Sequence, residues 1–340
     1  MAVHSLSYPS RTDGASTSSR DVLIYFISGN PGLIDYYESF LSTLRHLLDS
    51  SPSSRDTRFH IYGQDLAGFD DNDHKPFTSA NPPHDVAYQI QDCFDTLSGL
   101  RVEDGPRKGK PYDDVLLMGH SVGTYIILQI FHRLLRDPAS APQLHLRAGI
   151  LLFPTIEHIN RSPQGLRLDL LRRTPVLGAH AHLVARGFLR LWPRAALSWF
   201  VRTVLGFPPH AADVTVRFLQ SRDGVWQALH MGMDEMQVIG EGQWDDELWE
   251  IEAEAEAAAA GNSQQQQQQQ VVPKFFFFFG KDDHWVASHL RDEFIERMSQ
   301  KAERTRCVVD EGNLPHAFCI RNSETVAEKA LHWINEIYDA

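Results

Sequence analysis

The chain has 340 residues, 42% of them hydrophobic and 22% charged, with a formal net charge of -12. That length accommodates one large α/β domain with an inserted subdomain and is too short for several independent enzymes. The acidic balance excludes a general nucleic-acid binder, because phosphate contacts need clustered Lys and Arg.

The three cysteines, Cys93, Cys307 and Cys319, are widely spaced; they form neither a metal-ligand pattern nor a disulfide framework and favour a reducing compartment. Residues 1–21 are rich in Ser, Arg and Thr and lack an apolar stretch of signal-peptide length, which predicts a disordered lead-in and argues against secretion. Val22 to Ile27 is a continuous β-favouring run ending in Ser28-Gly29-Asn30-Pro31-Gly32, the pattern of a buried strand opening into a tight turn. Tyr36 to Leu48 has helical spacing, Phe59 to Gly63 is a short strand, and His84 to Leu100 is a helix. Val115 to Met118 is a further strand, a helix from Val122 to Leu135 follows it closely, and Ala148 to Phe153 is the next strand. Strands separated by helices of this length imply right-handed crossovers and a mostly parallel central sheet flanked by helices.

The alternation stops after Pro154 and resumes near Lys274 to Phe279. The core is therefore expected in two parts, 22–154 and 272–340, with a helical cap over 155–243 between them. Within the cap, Leu197, Phe200, Val201, Val204 and Leu205 have amphipathic-helix spacing. Residues 244–271 contain an acidic stretch, an alanine run and Gln264 to Gln270, the composition of a low-complexity surface linker without a catalytic role. A helix near Ser288 to Lys301, a strand over Arg306 to Val309 and a closing helix from Glu324 to Tyr338 complete the chain.

Gly119-His120-Ser121-Val122-Gly123 stands between an apolar strand and a helix. A serine at such a turn is a candidate nucleophile, since small flanking residues let the turn close and a substrate approach. Its hydroxyl needs a base, and His316, in the loop between the last strand and the last helix, is the candidate; His120 adjoins the serine but points away from it in an elbow. The carboxylate that orients the base is expected in Gly280-Lys281-Asp282-Asp283-His284-Trp285, where spacing does not choose between Asp282 and Asp283. Backbone N–H groups of Asn30 and Val122 are the natural pair of oxyanion donors. The order Ser, Asp, His and the strand–elbow–helix context are those of the α/β-hydrolase fold. Acylation of Ser121 followed by water attack needs no metal or cofactor.

The Ser28-Gly29-Asn30-Pro31-Gly32 turn, Tyr36-Tyr37 and Phe40, the Gly119 to Gly123 elbow and Leu314-Pro315-His316-Ala317-Phe318 together resemble the lipid droplet-associated hydrolases. The resemblance runs from about Val22 to the C-terminus, excludes the glutamine tract, and places the acid two residues before a Trp, which favours Asp283 over Asp282. It implies an ester hydrolase acting on neutral-lipid esters, sterol esters or acylglycerols, in lipid storage or turnover. The implied location is the lipid-droplet surface, with endoplasmic reticulum or cytoplasm as further sites. Two other readings remain: a soluble esterase or thioesterase with a lid, and a weakly active or non-catalytic lipid-surface protein on a hydrolase scaffold.

Residues 161–210 contain eight Arg, no Lys and one Asp, a net +7 in an acidic chain. Leu183, Phe188, Leu191, Trp192, Trp199 and Phe200 are interspersed with them. Arg beside interfacial aromatics suits a monotopic contact with a droplet or membrane surface. Arg186, Arg190, Pro193, Arg194 and Arg202 interrupt any apolar run long enough to span a bilayer. An ordinary cap with apolar faces on the core and arginines in water would have the same composition.

Overall fold

The computed structural model describes residues 3–10, 19–51, 53, 56–240, 248, 273–299 and 305–338; the tract read as a linker, 244–271, lies outside them except for Leu248. Seven strands form one sheet: β1 (Ser5–Tyr8), β2 (Arg20–Ile27), β3 (Thr57–Gln64), β4 (Asp114–His120), β5 (Leu146–Leu152), β6 (Lys274–Phe279) and β7 (Thr305–Val309). Their spatial order is β1-β3-β2-β4-β5-β6-β7, and every pairing is parallel except that of β1 with β3. The order reverses between β2 and β4, the place where an open parallel sheet leaves a crevice beyond its carboxyl edge.

Strand residues alternate between two layers of core. Leu23, Tyr25 and Ile27 of β2 face α2 (Val86–Gly99) and α3 (Val122–Arg136), whereas Val22, Ile24 and Phe26 face α1 (Glu38–Asp49). The same split divides β6: Phe277 packs on Phe294 at a 5.1 Å ring separation, and Phe278 lies 5.6 Å from Trp333. Phe294 belongs to the helix Ser288–Ser299 and Trp333 to the closing helix Ser323–Tyr338. A strand covered on both faces reads as a continuous apolar run rather than an alternating one.

The lead-in reading of 1–21 is corrected at two points, because β1 forms inside it and β2 begins at Arg20. Leu6 and Tyr8 pack against the core while the β1 backbone pairs with β3. Four residues carry too little alternation to stand out from serine-rich neighbours, and the pairing that stabilises them comes from a strand some fifty residues away.

Between β5 and β6 the chain forms α4 (Pro163–Arg173), α5 (Pro175–Arg190), α6 (Arg194–Trp199), α7 (Pro209–Leu219) and α8 (Gly224–Val238). The helix expected through Leu205 is also corrected: α6 ends at Trp199 and runs into a π-turn over Phe200–Val204. The wider turn changes the register, so Leu197 and Val201 are buried against α7 while Val204 and Leu205 are exposed. With Ser288–Ser299 as α9 and Ser323–Tyr338 as α10, the helices cover both faces of the sheet.

Phe277 is fully buried among aromatic neighbours, so Phe277→Ala leaves a large void. Stability is expected to fall by about 3–5 kcal/mol, read from the denaturant midpoint of the folded chain.

Candidate active site

The carboxyl ends of β2, β4, β6 and β7 bring together segments far apart in sequence. β4 ends at His120 and α3 begins at Val122, leaving Ser121 alone in the turn with φ 54° and ψ -126°. An L-residue there is strained, and the surroundings hold it in place. The Ser121 N–H donates to the Leu152 carbonyl at 3.1 Å, and the Ser121 carbonyl accepts the Thr124 N–H at 2.9 Å. Gly123 packs directly on the Ile27 carbonyl, so a β-carbon at this position would meet backbone oxygen.

Ser121 Oγ lies 2.9 Å from His316 Nε2, and His316 Nδ1 lies 2.7 Å from Asp283 Oδ2. Acceptance by the carboxylate assigns the proton to Nδ1 and leaves Nε2 with a lone pair towards the serine hydroxyl. Asp283 is buried and Asp282 is exposed, which resolves the choice that spacing leaves open. The other Asp283 oxygen accepts the Trp285 N–H at 2.8 Å, so both oxygens are engaged.

His120 has a different task. Its Nε2 donates to the His316 carbonyl at 2.9 Å, and its Nδ1 accepts from the Tyr37 hydroxyl at 2.7 Å. That hydroxyl in turn accepts the Gly29 N–H at 3.1 Å. Burial, with the neighbouring His316, holds His120 well below the ordinary imidazole pKa, so this relay is neutral. It ties the turn after β2 to the base-bearing loop and had no sequence signature beyond the proximity of His120 to the serine.

The two residues expected as oxyanion donors lie on elements that meet at Ser121. Val122 opens α3, where a helix leaves its first N–H groups without i−4 acceptors. The turn carrying Asn30 lies against Ser121: a β-carbon on Gly29 would stand 3.0 Å from Ser121 Cβ and 2.9 Å from His120 Nδ1. Because the Gly29 N–H is taken by Tyr37, the Asn30 N–H is the next donor along that turn.

The Asn30 side-chain nitrogen is occupied elsewhere. Its Nδ2 donates to the Ala228 carbonyl and to Glu235 Oε1, both at 3.0 Å, anchoring the turn to α8 of the cap. Glu235 is 4% exposed, and burial pushes its carboxyl up to about 8, opposed by the Asn30 hydrogen bond and reinforced by Asp234. Nothing in the sequence distinguishes this glutamate from the other acids of the chain.

A folded-state pKa above the unfolded value means that the folded chain holds a proton the unfolded chain has released. Stability attached to Glu235 is complete below about 4.5 and is lost as pH rises towards about 8. Glu235→Gln keeps the acceptor for Asn30 and removes the titration. Its melting midpoint is expected to gain on that of the wild type as pH is raised through this window, measured by thermal unfolding at pH steps.

The family model for lipid-droplet associated hydrolases matches residues 20–319. A lipid droplet-associated hydrolase of Rattus norvegicus is 26% identical over 329 residues, covering 95% of this chain and 87% of the relative. One from Homo sapiens is 32% identical over 150 residues, 42% of this chain and 41% of that protein. Among solved structures, the juvenile hormone epoxide hydrolase of the silkworm Bombyx mori aligns with a TM-score of 0.57 at 12% identity, over 98% of this chain and 73% of that one. An esterase from Thermogutta terrifontis aligns with a TM-score of 0.52 at 15% identity, over 99% and 94% of the two chains. These structural likenesses show the α/β-hydrolase fold, and the family match adds to it: the chain belongs to the lipid-droplet associated hydrolase family.

Proposed function

We propose that this hydrolase is a serine carboxylic-ester hydrolase acting on neutral-lipid esters, sterol esters or acylglycerols, through an acyl-enzyme. The observation that carries the reading is the hydrogen-bonded chain from Ser121 through His316 to buried Asp283. Ser121 Oγ attacks the ester carbonyl carbon as its proton passes to His316 Nε2, while Asp283 stabilises the imidazolium that forms. The N–H groups of Asn30 and Val122 stabilise the tetrahedral oxyanion, an effect on the order of several kcal/mol. Collapse breaks the bond to the leaving oxygen, which takes the proton from Nε2 and departs as the alcohol. Water then attacks the acyl carbon, gives its proton to the same nitrogen, and the acid leaves as Ser121 regains its hydrogen.

The cap supports a lipid ester presented at an interface. Among the described residues, ten of the eleven exposed large hydrophobic side chains lie within 161–210, including Leu170, Val176, Val184, Phe188, Leu191 and Trp199. No described helix is long and apolar enough to cross a membrane. Exposed apolar side chains among arginines suit attachment in the plane of a lipid surface, and residues 161–210 are the segment proposed to make that contact.

Fluorophosphonate labelling and hydrolysis of an emulsified sterol ester test the catalytic reading. Ser121→Ala is expected to abolish labelling and reduce turnover by at least about 10⁴-fold, and Asp283→Asn to reduce turnover by about 10⁴-fold. A folded wild type that neither labels nor hydrolyses ester overturns it.

Flotation with artificial droplets tests the surface reading separately. Phe188→Asp combined with Leu191→Asp is expected to weaken droplet binding at least a hundredfold, since each buried side chain contributes about 1.5–3 kcal/mol. Its melting midpoint should remain close to that of the wild type, because both positions are exposed.

A further inference from the structure

A cavity lies in the cap, lined by none of Ser121, Asp283 and His316. It has a volume of about 610 Å³ and opens between α5 and the segment joining α7 to α8. His182, Arg186 and Arg190 line it from one side at successive helical turns, and Arg222 and Trp226 line it from the other. The His182 and Trp226 rings stack with centroids 4.2 Å apart and planes within 6°, forming a flat wall.

The charges here are unevenly used. Arg222 is committed to the fold: it donates to Asp223 and to the carbonyls of Asp71 and His74. The Asp71 carboxylate, also on the cavity wall, accepts the backbone N–H groups of Arg222 and Asp223. Among the described residues, no carboxylate pairs with Arg186 or Arg190, although the protein is strongly acidic. Burial lowers the His182 pKa, and the nearby His180 and Arg186 lower it further, as expected where positive charge is uncompensated.

We propose that this cavity binds a phosphomonoester, with Arg186 and Arg190 pairing its dianion and the His182–Trp226 wall covering its organic part. Two planar guanidiniums one turn apart can each offer paired donors to phosphate oxygens. The adjoining face of α5 exposes Leu183, Val184 and Phe188, with Leu191 just beyond its end. If those side chains enter a lipid surface, the arginines at their border sit at headgroup depth. The phosphomonoester then comes from a phospholipid such as phosphatidic acid; a soluble phosphate ester offers the same chemistry. The lipid source rests on the surface reading above, whereas the site itself does not.

The test uses the full-length protein, the Arg186→Gln/Arg190→Gln double variant and an Arg194→Gln/Arg202→Gln control that removes equal charge from the neighbouring α6 and π-turn. Vesicles of phosphatidylcholine with phosphatidic acid are compared with phosphatidylglycerol vesicles matched in surface potential, and glycerol 3-phosphate binding is measured by calorimetry. Wild type and control are expected to bind the phosphatidic acid vesicles at least about tenfold more tightly than the matched ones, and the double variant to lose that preference. Calorimetric binding of glycerol 3-phosphate that vanishes only in the double variant, without a vesicle preference, supports the site and assigns it a soluble ligand. The proposal is overturned if wild type shows neither behaviour, or if the double variant, melting like wild type, retains whichever one wild type shows. Loss of all vesicle binding in the Phe188→Asp/Leu191→Asp variant with glycerol 3-phosphate binding intact separates surface attachment from the site.

Discussion

The turn at Ser121 is the constraint on which the rest of the candidate site depends. A serine held at φ 54° between β4 and α3 must be stabilised by its neighbours. They supply fixed hydrogen bonds on both sides of the serine and a glycine where α3 presses on the end of β2. The same close approach brings the Gly29–Asn30 turn against Ser121, so one packing requirement sets both the serine and the backbone beside it.

The parallel sheet supplies the remaining groups by putting strand ends along one edge. His316 stands 195 residues after Ser121 and 33 after Asp283, yet all three form one hydrogen-bonded chain. His120 contributes by connecting the base-bearing loop to Tyr37 and, through it, to Gly29. Asn30 extends the connection to α8, so the turn beside Ser121 is also a point of contact with the cap.

The cap departs from the electrostatics and surface chemistry of the core. It concentrates arginine in an otherwise acidic chain and exposes apolar side chains that a helix facing only water would bury. On α5 the two features occupy neighbouring faces, with an apolar crest bordered by the arginines of the cavity. The proposed surface contact and the proposed anion site would thus share a single helix.

Much of this was legible in the residues because it rests on local patterns. Val22 to Ile27, Val115 to Met118 and the run Phe275 to Phe279 read as strands since both faces of each are covered, and the elbow was marked by its small residues. β1 was missed because its stabilising partner is remote, and the helix through Leu205 was overextended because a π-turn changes register without changing composition. Asp282 and Asp283 are equivalent in composition, and Glu235 resembles any solvated helix acid. The sequence by itself determined the strand runs, the elbow and the residue types available for chemistry. Only the tertiary structure decided which carboxylate is buried against His316, which glutamate is desolvated beside Asn30, and which arginines lack a carboxylate partner among the described residues, because burial and charge pairing depend on distances between segments that folding alone brings together.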